Sequence, residues 1–365
     1  MGKVRVAVIP EPRACVEVRE VTEPELEPDS ALLSVELSEV CGTDAHLQQG
    51  RLAGVPYPLV PGHVSVGRLE KIRGRLSDVY GRPFAEGDRI TFLDVHRTCH
   101  ACWYCLVAKS TTRCPARKVY GITYGLADNL AGGWAEKIYL KPGTRCIRLD
   151  EADAETFMAG GCALPTALHA VERAGVEIGD TVLVLGSGPV GLSSVIFAGM
   201  RGALRVLCIG APHARLETAR AVGAHATLDI ETHDDAQRLA WLLEQTGGRG
   251  ADVTIEATGA PSAVTQAMRY TRDAGRVVIV GQYTDHGEVS FNPHLDLNRK
   301  HLDVRGCWGS DFSHFHRGAQ LMSDAARSHP WSLIKLERYG LARANDALAD
   351  VAAGRVVKAL IDPHL

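Results

Sequence analysis

The chain has 365 residues, of which 45% are hydrophobic and 23% are charged. This ordinary globular composition excludes a disordered or fibrous protein, and the length predicts two domains. The 40 Lys and Arg residues against 43 Asp and Glu residues give a net charge of −3. No overall positive charge therefore favours nucleic acid or an anionic membrane as a partner.

Targeting signals are not apparent in the sequence. No apolar run approaches the roughly 20 residues that a membrane-spanning helix needs. The start of the chain, from Met1 to Val8, alternates like a strand and lacks the pattern of a secretory signal peptide. We therefore expect a cytoplasmic protein, in which the ten cysteines indicate metal binding or catalysis before disulfides.

The first part of the chain has a β-rich pattern. Short alternating stretches are separated by turns that contain Gly, Pro and Asp, which is typical of strands. The predicted strands are Val4–Ile9, Ala31–Leu37, Val64–Glu70, Arg89–Leu93 and Glu136–Leu140.

From about residue 165 to 300 the pattern changes to strands that alternate with helices. This alternation predicts a parallel, doubly wound sheet. Its predicted strands are Thr181–Leu185, Arg205–Ile209, Asp252–Ile255 and Arg276–Val280, with helices through Ala198 and over Ala214–Val222. After about residue 300 the pattern is mixed and ends in a helix, Asn345–Ala353, and a strand, Lys358–Ile361.

A glycine-rich turn follows the strand Val182–Leu185 and opens a helix. Glycines in this context allow a tight turn and bring the helix N-terminus close to a pyrophosphate. The alternative is a close-packed turn without a ligand. The residues predicted to bind a dinucleotide here are Gly186, Gly188, Pro189, Val190 and Gly191.

The end of the next strand bears on which dinucleotide binds. NAD sites usually place an acidic residue there, to bind the ribose 2′-hydroxyl, whereas this chain has Gly210. Without that carboxylate a 2′-phosphate is not repelled, and Arg215 or His213 can pair with it. This favours NADP(H) over NAD(H), although Arg215 can also be interpreted as a solvated helix residue.

Four cysteines cluster on a polar loop, at Cys99, Cys102, Cys105 and Cys114. Thiolates at such spacing can converge on one tetrahedral zinc ion. The rival interpretation is an iron–sulfur cluster, but the ferredoxin run leaves three residues before its Cys-Pro, whereas here eight residues separate Cys105 from Cys114. We therefore predict a structural zinc site.

A further group of reactive residue types lies earlier in the chain. Cys41, Thr43, Asp44 and His46 fall within six residues, and His63 follows a Pro-Gly pair. A lone Cys or His is more often a core residue than a ligand, but this neighbourhood favours a catalytic or metal-binding role.

Together these groups, in this order, resemble the zinc-dependent medium-chain dehydrogenases/reductases, the alcohol and polyol dehydrogenase superfamily. Further matches are Gly87-Asp88-Arg89, Gly132-Gly133-Trp134-Ala135-Glu136, Glu256-Ala257-Thr258-Gly259 and the ending Lys358-Ala359-Leu360-Ile361-Asp362-Pro363. The resemblance implies an α/β protein with a GroES-like β-rich catalytic domain, 1–163 and 301–365, and a doubly wound Rossmann cofactor domain, 164–300. It also implies a homodimer or homotetramer.

The resemblance also implies roles for individual residues. Cys41, His63 and Cys162 would be catalytic zinc ligands, which makes two zinc ions per chain. Thr43 would bind the substrate oxygen and relay its proton, His46 would pass that proton to solvent, and Asp44 would orient His63. Thr166 and Thr258 would contact the cofactor. One departure is Val64, because the family usually has a glutamate after this histidine.

The implied function is zinc-dependent hydride transfer between NADP(H) and a secondary alcohol or ketone. Two alternatives are an NADPH-dependent enone reductase that uses the same zinc site and a non-catalytic cofactor-binding protein. A polyol, sugar or cyclitol is the expected substrate, since several residues around the expected pocket are polar. The polar residues considered there are His96, Arg97, Thr123 and Asp311. The aromatic residues considered are Tyr120, Trp134, Trp308 and Phe312, although each of them, taken singly, is more typical of core packing.

Overall fold

The computed structural model describes residues 2–149 and 152–365. They form two compact units. The first comprises the described residues up to Cys162 together with Asp311–Ser328 and Lys335–Leu365, and the second comprises Ala163–Ser310 and His329–Ile334.

In chain order, the strands are β1 Lys3–Val8, β2 Glu17–Thr22, β3 Ser30–Val40, β4 Ser65–Arg73, β5 Arg89–Phe92, β6 Val95–Arg97, β7 Lys118–Val119, β8 Lys137–Leu140, β9 Cys146–Arg148, β10 Thr181–Leu185, β11 Arg205–Gly210, β12 Ala226–Asp229, β13 Ala251–Glu256, β14 Thr271–Ile279, β15 Asp303–Gly306, β16 Leu336–Tyr339 and β17 Lys358–Ile361.

The α-helices are α1 Gly42–Gln48, α2 Trp103–Leu106, α3 Ala154–Gly160, α4 Ala163–Ala174, α5 Pro189–Met200, α6 His213–Ala221, α7 Asp235–Gln245, α8 Pro261–Tyr270, α9 Phe312–Met322, α10 Ala325–Ser332 and α11 Ala344–Ala352. Short 3₁₀ turns lie at Thr111–Arg113, Leu126–Asp128 and Leu341–Arg343, and a π-helical turn at Pro293–Asn298. Within the described ranges, no helix combines the length and apolar character needed to cross a membrane.

The second unit is built on a parallel sheet with the strand order β12-β11-β10-β13-β14-β15. Strands and helices alternate along the chain, which confirms the predicted doubly wound sheet. The unit extends past the predicted boundary at residue 300 because β15 pairs with β14. β15 is short and its residues are half-buried or exposed, so its sequence lacks the apolar run of a central strand.

The first unit contains a mainly antiparallel sheet with the order β16-β17-β3-β4-β5-β9, and β8 also pairs with β3. The last strand of the chain, β17, lies beside β3, so the C-terminal segment joins the sheet of the N-terminal region. β3 continues past the predicted end at Leu37 through Ser38 and Glu39. Both polar side chains are fully buried, which a pattern of apolar alternation cannot predict.

Candidate active site and metal centres

Three potential metal ligands from separate segments of the first unit meet in the structure. The ligand atoms of Cys41, His63 and Cys162 all lie within 4.8 Å of one another, and Cys41 Sγ is 3.9 Å from His63 Nε2. Cys41 is the residue before α1, His63 precedes β4, and Cys162 lies just after α3. Two thiolates and one imidazole are donors that suit zinc and leave a fourth position open.

The charges in this group are strongly coupled. The hydrogen bond from the Cys162 thiol holds the pKa of Cys41 well below its ordinary value. Burial would lower the pKa of His63, but the charge of Cys41 raises it to about 10. Metal ligands must be deprotonated, so a metal cation that binds between these side chains would displace their protons.

Asp44 is fully buried in the same group. Its carboxylate accepts hydrogen bonds from the backbone N–H groups of Cys41, at 2.9 Å, and Gly62, at 3.3 Å. Its Oδ1 lies 4.0 Å from His63 Nδ1, which is longer than a direct hydrogen bond. Asp44 therefore links the backbone at Cys41 to the backbone at Gly62, which precedes His63. It lies near the His63 ring without a direct hydrogen bond.

Thr43 and His46 lie on α1, directly after Cys41. The Thr43 side chain is among the groups that lower the pKa of Cys41, so this hydroxyl lies near a candidate metal ligand. Residues three apart on a helix share a face, and both side chains are half-buried. Val64, at the position of the family's usual glutamate, is buried and apolar.

Two charged residues that the sequence analysis did not single out lie beside Cys162. Glu39 and Lys358 form a buried ion pair, with side-chain exposures of 0% and 1%. The Cys162 thiol is 3.2 Å from Glu39 Oε1, and the Cys162 backbone N–H donates to Oε2 at 2.6 Å. The available signal was a glutamate two residues before Cys41, at the end of a predominantly buried strand.

The four cysteines of the polar loop form a second group. The sulfur atoms of Cys99, Cys102, Cys105 and Cys114 lie within 4.8 Å of one another. A tetrahedral zinc with Zn–S bonds of about 2.3 Å places its sulfurs roughly 3.8 Å apart. These distances fit a single ion, whereas an iron–sulfur cluster holds several metal atoms between its cysteines.

Backbone N–H groups point at the sulfurs of this loop. Cys102 N donates to Cys99 Sγ at 3.3 Å, and Cys99 N donates to Cys114 Sγ at 3.2 Å. The Ala101 N–H and the neighbouring thiols lower the pKa of Cys99 to about 6. Such hydrogen bonds favour the thiolate form that binds a metal.

The glycine-rich turn of the second unit joins β10 to α5. Gly188 is the residue before α5, and Pro189 and Val190 form its first turn. A Cβ on Gly191 would collide with the carbonyl oxygen of Gly186, so this close approach of turn and helix requires glycine. The helix N-terminus of a parallel βα unit is a site that suits a pyrophosphate.

Gly210 ends β11, but the structure gives it a packing role as well. A Cβ at this position would lie 2.6 Å from Ser187 Oγ and 2.9 Å from Ser187 N. The close approach of the glycine-rich turn to Gly210 is thus one reason why this position has no acidic side chain.

The two basic residues that follow Gly210 differ in their surroundings. His213 is exposed and lies 3.8 Å from Glu217 and 4.0 Å from Asp229, two carboxylates that compete with a phosphate. Arg215 is half-buried on α6, and burial lowers its pKa. Of the two, Arg215 is the better candidate for a phosphate.

Thr258 lies in the loop after β13. Its hydroxyl and its backbone N–H both donate to Glu256 Oε1 at 2.7 Å. Glu256 is fully buried and also accepts from Gly259 N and Gly281 N, at 3.0 and 3.1 Å. Glu256 therefore holds the loop in place through these hydrogen bonds, a role that the sequence motif did not assign. The other threonine expected at the cofactor, Thr166, lies on α4.

Several residues that suggested a polar substrate pocket are engaged elsewhere. Tyr120 and Trp134 are fully buried in the core, which agrees with the alternative of core packing. The two ring nitrogens of His96 contact the Tyr124 hydroxyl and the Pro142 carbonyl, at 2.6 and 3.0 Å. Asp311 accepts from Ser313 N as the residue before α9.

Comparison with known families identifies both parts of the chain. Residues 27–151 match the family model for the alcohol dehydrogenase GroES-like domain, and residues 189–324 match that for zinc-binding dehydrogenases.

Individual relatives cover nearly the whole chain. A 5-exo-hydroxycamphor dehydrogenase of Pseudomonas putida is 33% identical over 341 residues, which are 93% of each chain. An alcohol dehydrogenase of Thermotoga maritima has a TM-score of 0.93 at 30% identity, covering 99% of this chain and 100% of that one. A zinc-binding dehydrogenase of Sinorhizobium meliloti, solved with bound NADP, has a TM-score of 0.85 at 28% identity over the full length of both chains. The chain belongs to the zinc-dependent medium-chain alcohol dehydrogenases and is an oxidoreductase of that family.

Proposed function

We propose that this enzyme transfers a hydride between NADP(H) and a secondary alcohol or its ketone, with a catalytic zinc held by Cys41, His63 and Cys162. The convergence of these three ligand atoms within 4.8 Å, beside the Thr43 hydroxyl, carries the proposal. A zinc ion held there would supply a Lewis acid for the substrate oxygen, and a bound nicotinamide would supply or take up the hydride.

The chain's own part in the reaction is the handling of one proton. We propose that the Thr43 hydroxyl accepts a hydrogen bond from the substrate hydroxyl and passes the proton on. His46, one helical turn further along α1, then exchanges it with solvent, since an imidazole can both accept and release a proton.

We propose that the four-cysteine loop holds the second zinc as a structural ion. Four thiolates fill a tetrahedral coordination shell and leave no position for substrate. In the proposed enzyme the loop contributes stability, and its zinc takes no part in the hydride transfer.

For the cofactor we propose a preference for NADP(H), supported by the absence of a carboxylate at Gly210 and by the basic Arg215 nearby in sequence. The Sinorhizobium meliloti relative was solved with NADP. Arg215→Ala should then lower kcat/KM for NADP(H) by about 10-fold or more and leave the value for NAD(H) within about threefold, since only NADP carries the 2′-phosphate.

The control for this test is Arg220→Ala on the same helix, where the guanidinium is bonded to the Thr227 hydroxyl at 2.8 Å. It removes one positive charge from α6 and should change neither cofactor's kcat/KM. A native enzyme with a higher kcat/KM for NAD than for NADP would contradict the proposed preference. Gly210→Asp is a poorer test, because its side chain would collide with Ser187.

The substrate test is a panel of alcohols with both cofactors. We propose a polyol, sugar or cyclitol as the natural substrate class, supported by relatives named D-arabinitol dehydrogenase and erythritol/L-threitol dehydrogenase. A bicyclic alcohol such as 5-exo-hydroxycamphor, the substrate named for another relative, is the comparison. A cyclic enone belongs in the panel as well. Formation of the allylic alcohol supports carbonyl reduction, whereas saturation of the carbon–carbon bond would contradict it.

We also infer that the enzyme assembles as a homodimer or homotetramer, as the family resemblance implies. Light scattering coupled to size-exclusion chromatography measures this directly, and a monomer of 39.3 kDa would contradict it.

A further inference from the structure

The end of β3 carries a buried carboxylate whose position calls for an explanation. Glu39 is fully buried, two residues before Cys41. β17 runs antiparallel beside β3 with Leu360 opposite Glu39, so Lys358 is a diagonal neighbour on the same face. The Lys358 ammonium contacts Glu39 Oε1 and donates to the Gly160 carbonyl at 3.4 Å.

Stability alone does not account for this pair. Removing two charges from water carries a desolvation penalty that their attraction barely offsets, and apolar residues of similar size often serve a fold equally well. The side chains of Glu39 and Lys358 are nonetheless only 0% and 1% exposed. A specific use of the charges is therefore expected.

The carboxylate reaches a third segment of the chain, the turn after α3. Cys162 N donates to Glu39 Oε2 at 2.6 Å, and Cys162 Sγ lies 3.2 Å from Oε1. The preceding residue, Gly161, has a φ of +49°, and a Cβ there would collide with Glu39 Oε2 and Lys358 Nζ. The turn is thus folded directly onto the ion pair.

This contact matters because Cys162 belongs to a different segment from the other two candidate ligands. Cys41 follows β3 and His63 precedes β4, two strands that are paired with each other. The turn that carries Cys162 must be held against this pair of strands for the three atoms to converge.

We propose that Glu39 is a positioning residue for the catalytic metal site. It anchors the main chain of Cys162, while Lys358 neutralises its carboxylate beside the Cys162 sulfur. This inference rests on the proposed catalytic zinc. In the metal-bound form the sulfur is a thiolate and has no proton to donate. Lys358 then offsets the repulsion between the sulfur and Oε1, and the bond from Cys162 N to Oε2 stays in place.

The test measures metal affinity as well as turnover. The zinc of interest is the one that the native protein binds and that His63→Ala loses. The affinity of the native protein and of each variant for this zinc is measured by competition with a chromophoric chelator. Glu39→Asp keeps a carboxylate near Lys358 but is one carbon shorter, so it should bind this zinc about 10- to 100-fold more weakly. The cobalt-substituted variant should also show a changed thiolate-to-cobalt absorption band, which a purely structural role would leave unchanged.

A second variant, Glu39→Leu with Lys358→Met, removes both charges and the acceptor for the Cys162 N–H together and leaves no unpaired ion. It should lose affinity for the same zinc to a similar extent while the four-cysteine loop keeps its own. Glu23→Gln is the matched control, because Glu23 is also paired with lysines, Lys71 and Lys137. It should alter stability without changing the zinc affinity.

The possible failures are distinguishable. A native protein that binds no zinc sensitive to His63→Ala would overturn the proposed function and this inference with it. A native protein that binds this zinc, together with Glu39 variants whose affinity stays within about twofold, would overturn the inference alone. If one Glu39 variant does not fold, the other decides.

Discussion

At the scale of single residues, the site depends on a few polar groups placed around Cys41. The Thr43 side chain helps to lower the pKa of Cys41, and the Asp44 carboxylate accepts hydrogen bonds from the backbone N–H groups of Cys41 and Gly62. The close spacing of these residues along the chain made a functional group here predictable. Their assignment as a proton relay stays a prediction.

Thr43→Ala removes the hydroxyl that we expect to relay the substrate proton. We predict a loss of roughly 10²- to 10⁴-fold in kcat, which is the usual contribution of a positioned proton-transfer group. The measurement is steady-state turnover of an alcohol, with the zinc content determined on the same sample. Unchanged turnover would count against the relay and favour enone reduction.

Thr43→Ser is the control, since it keeps the hydroxyl and should retain most of the activity. In the same series, His46→Gln should reduce turnover most near neutral pH and least at high pH, where solvent can accept the proton directly. A loss in His46→Gln that is independent of pH would contradict its place in the relay.

Glu39 shows what the sequence could not reveal at this scale. A glutamate at the end of a strand is ordinarily solvated, and the predicted strand stopped at Leu37. In the structure the strand continues, and pairing with β17 brings Lys358 beside Glu39. The partner lies more than three hundred residues away in the chain, and local periodicity contains no information about such a contact.

At the scale of structural elements, the four-cysteine loop buries few large apolar side chains. The side chains of α2 include Trp103, Tyr104 and Leu106, all of them exposed. With so little apolar burial, the metal is expected to hold the loop, because the binding free energy of a structural zinc contributes to folding.

Cys102→Ser should therefore remove one zinc per chain and lower Tm by roughly 5 °C or more, which corresponds to a loss of at least about 2 kcal/mol. The measurements are metal analysis and calorimetry. Cys15→Ser, which alters an exposed cysteine, should change neither quantity. Full zinc content in Cys102→Ser would contradict the assignment of the loop.

A second prediction at this scale concerns the ion pairs that connect strands. Hydrogen bonds from Lys71, in β4, and Lys137, in β8, lower the pKa of Glu23. A carboxyl group whose pKa is lower in the folded state stabilises the fold above its unfolded pKa of about 4.3. That stabilisation is lost as the pH falls through the folded pKa.

Glu23→Gln should therefore lower the free energy of unfolding by no more than about 1 kcal/mol at pH 7, because such partly exposed pairs are weak. The difference from the native protein should vanish at pH values below the lowered folded pKa. Denaturant unfolding at several pH values measures it. A difference that grows on acidification would have the wrong sign.

At the scale of the whole molecule, the sequence predicted the two kinds of unit because each has its own periodicity. Strand–helix alternation indicated the parallel sheet, and short alternating stretches indicated the β-rich unit. The boundary near residue 300 was less predictable, since β15 is short and not strongly apolar. The segment His329–Ile334, which belongs to the second unit, carries no distinguishing pattern.

The polar pocket was the weakest expectation for a physical reason. His96 and Asp311 look available in the sequence, but in the folded chain they bind neighbouring groups. Tyr120 and Trp134 are core residues. Residue type alone does not distinguish a polar group that binds substrate from one that satisfies the backbone.

The central claim is that Cys41, His63 and Cys162 hold a zinc ion separate from that of the four-cysteine loop. Metal analysis of the purified native protein and of His63→Ala tests it most directly. We predict two zinc ions per chain in the native protein, and one zinc, a persistent fold and no turnover in His63→Ala. One zinc or iron in the native protein, or two zinc ions retained in His63→Ala, would contradict the account.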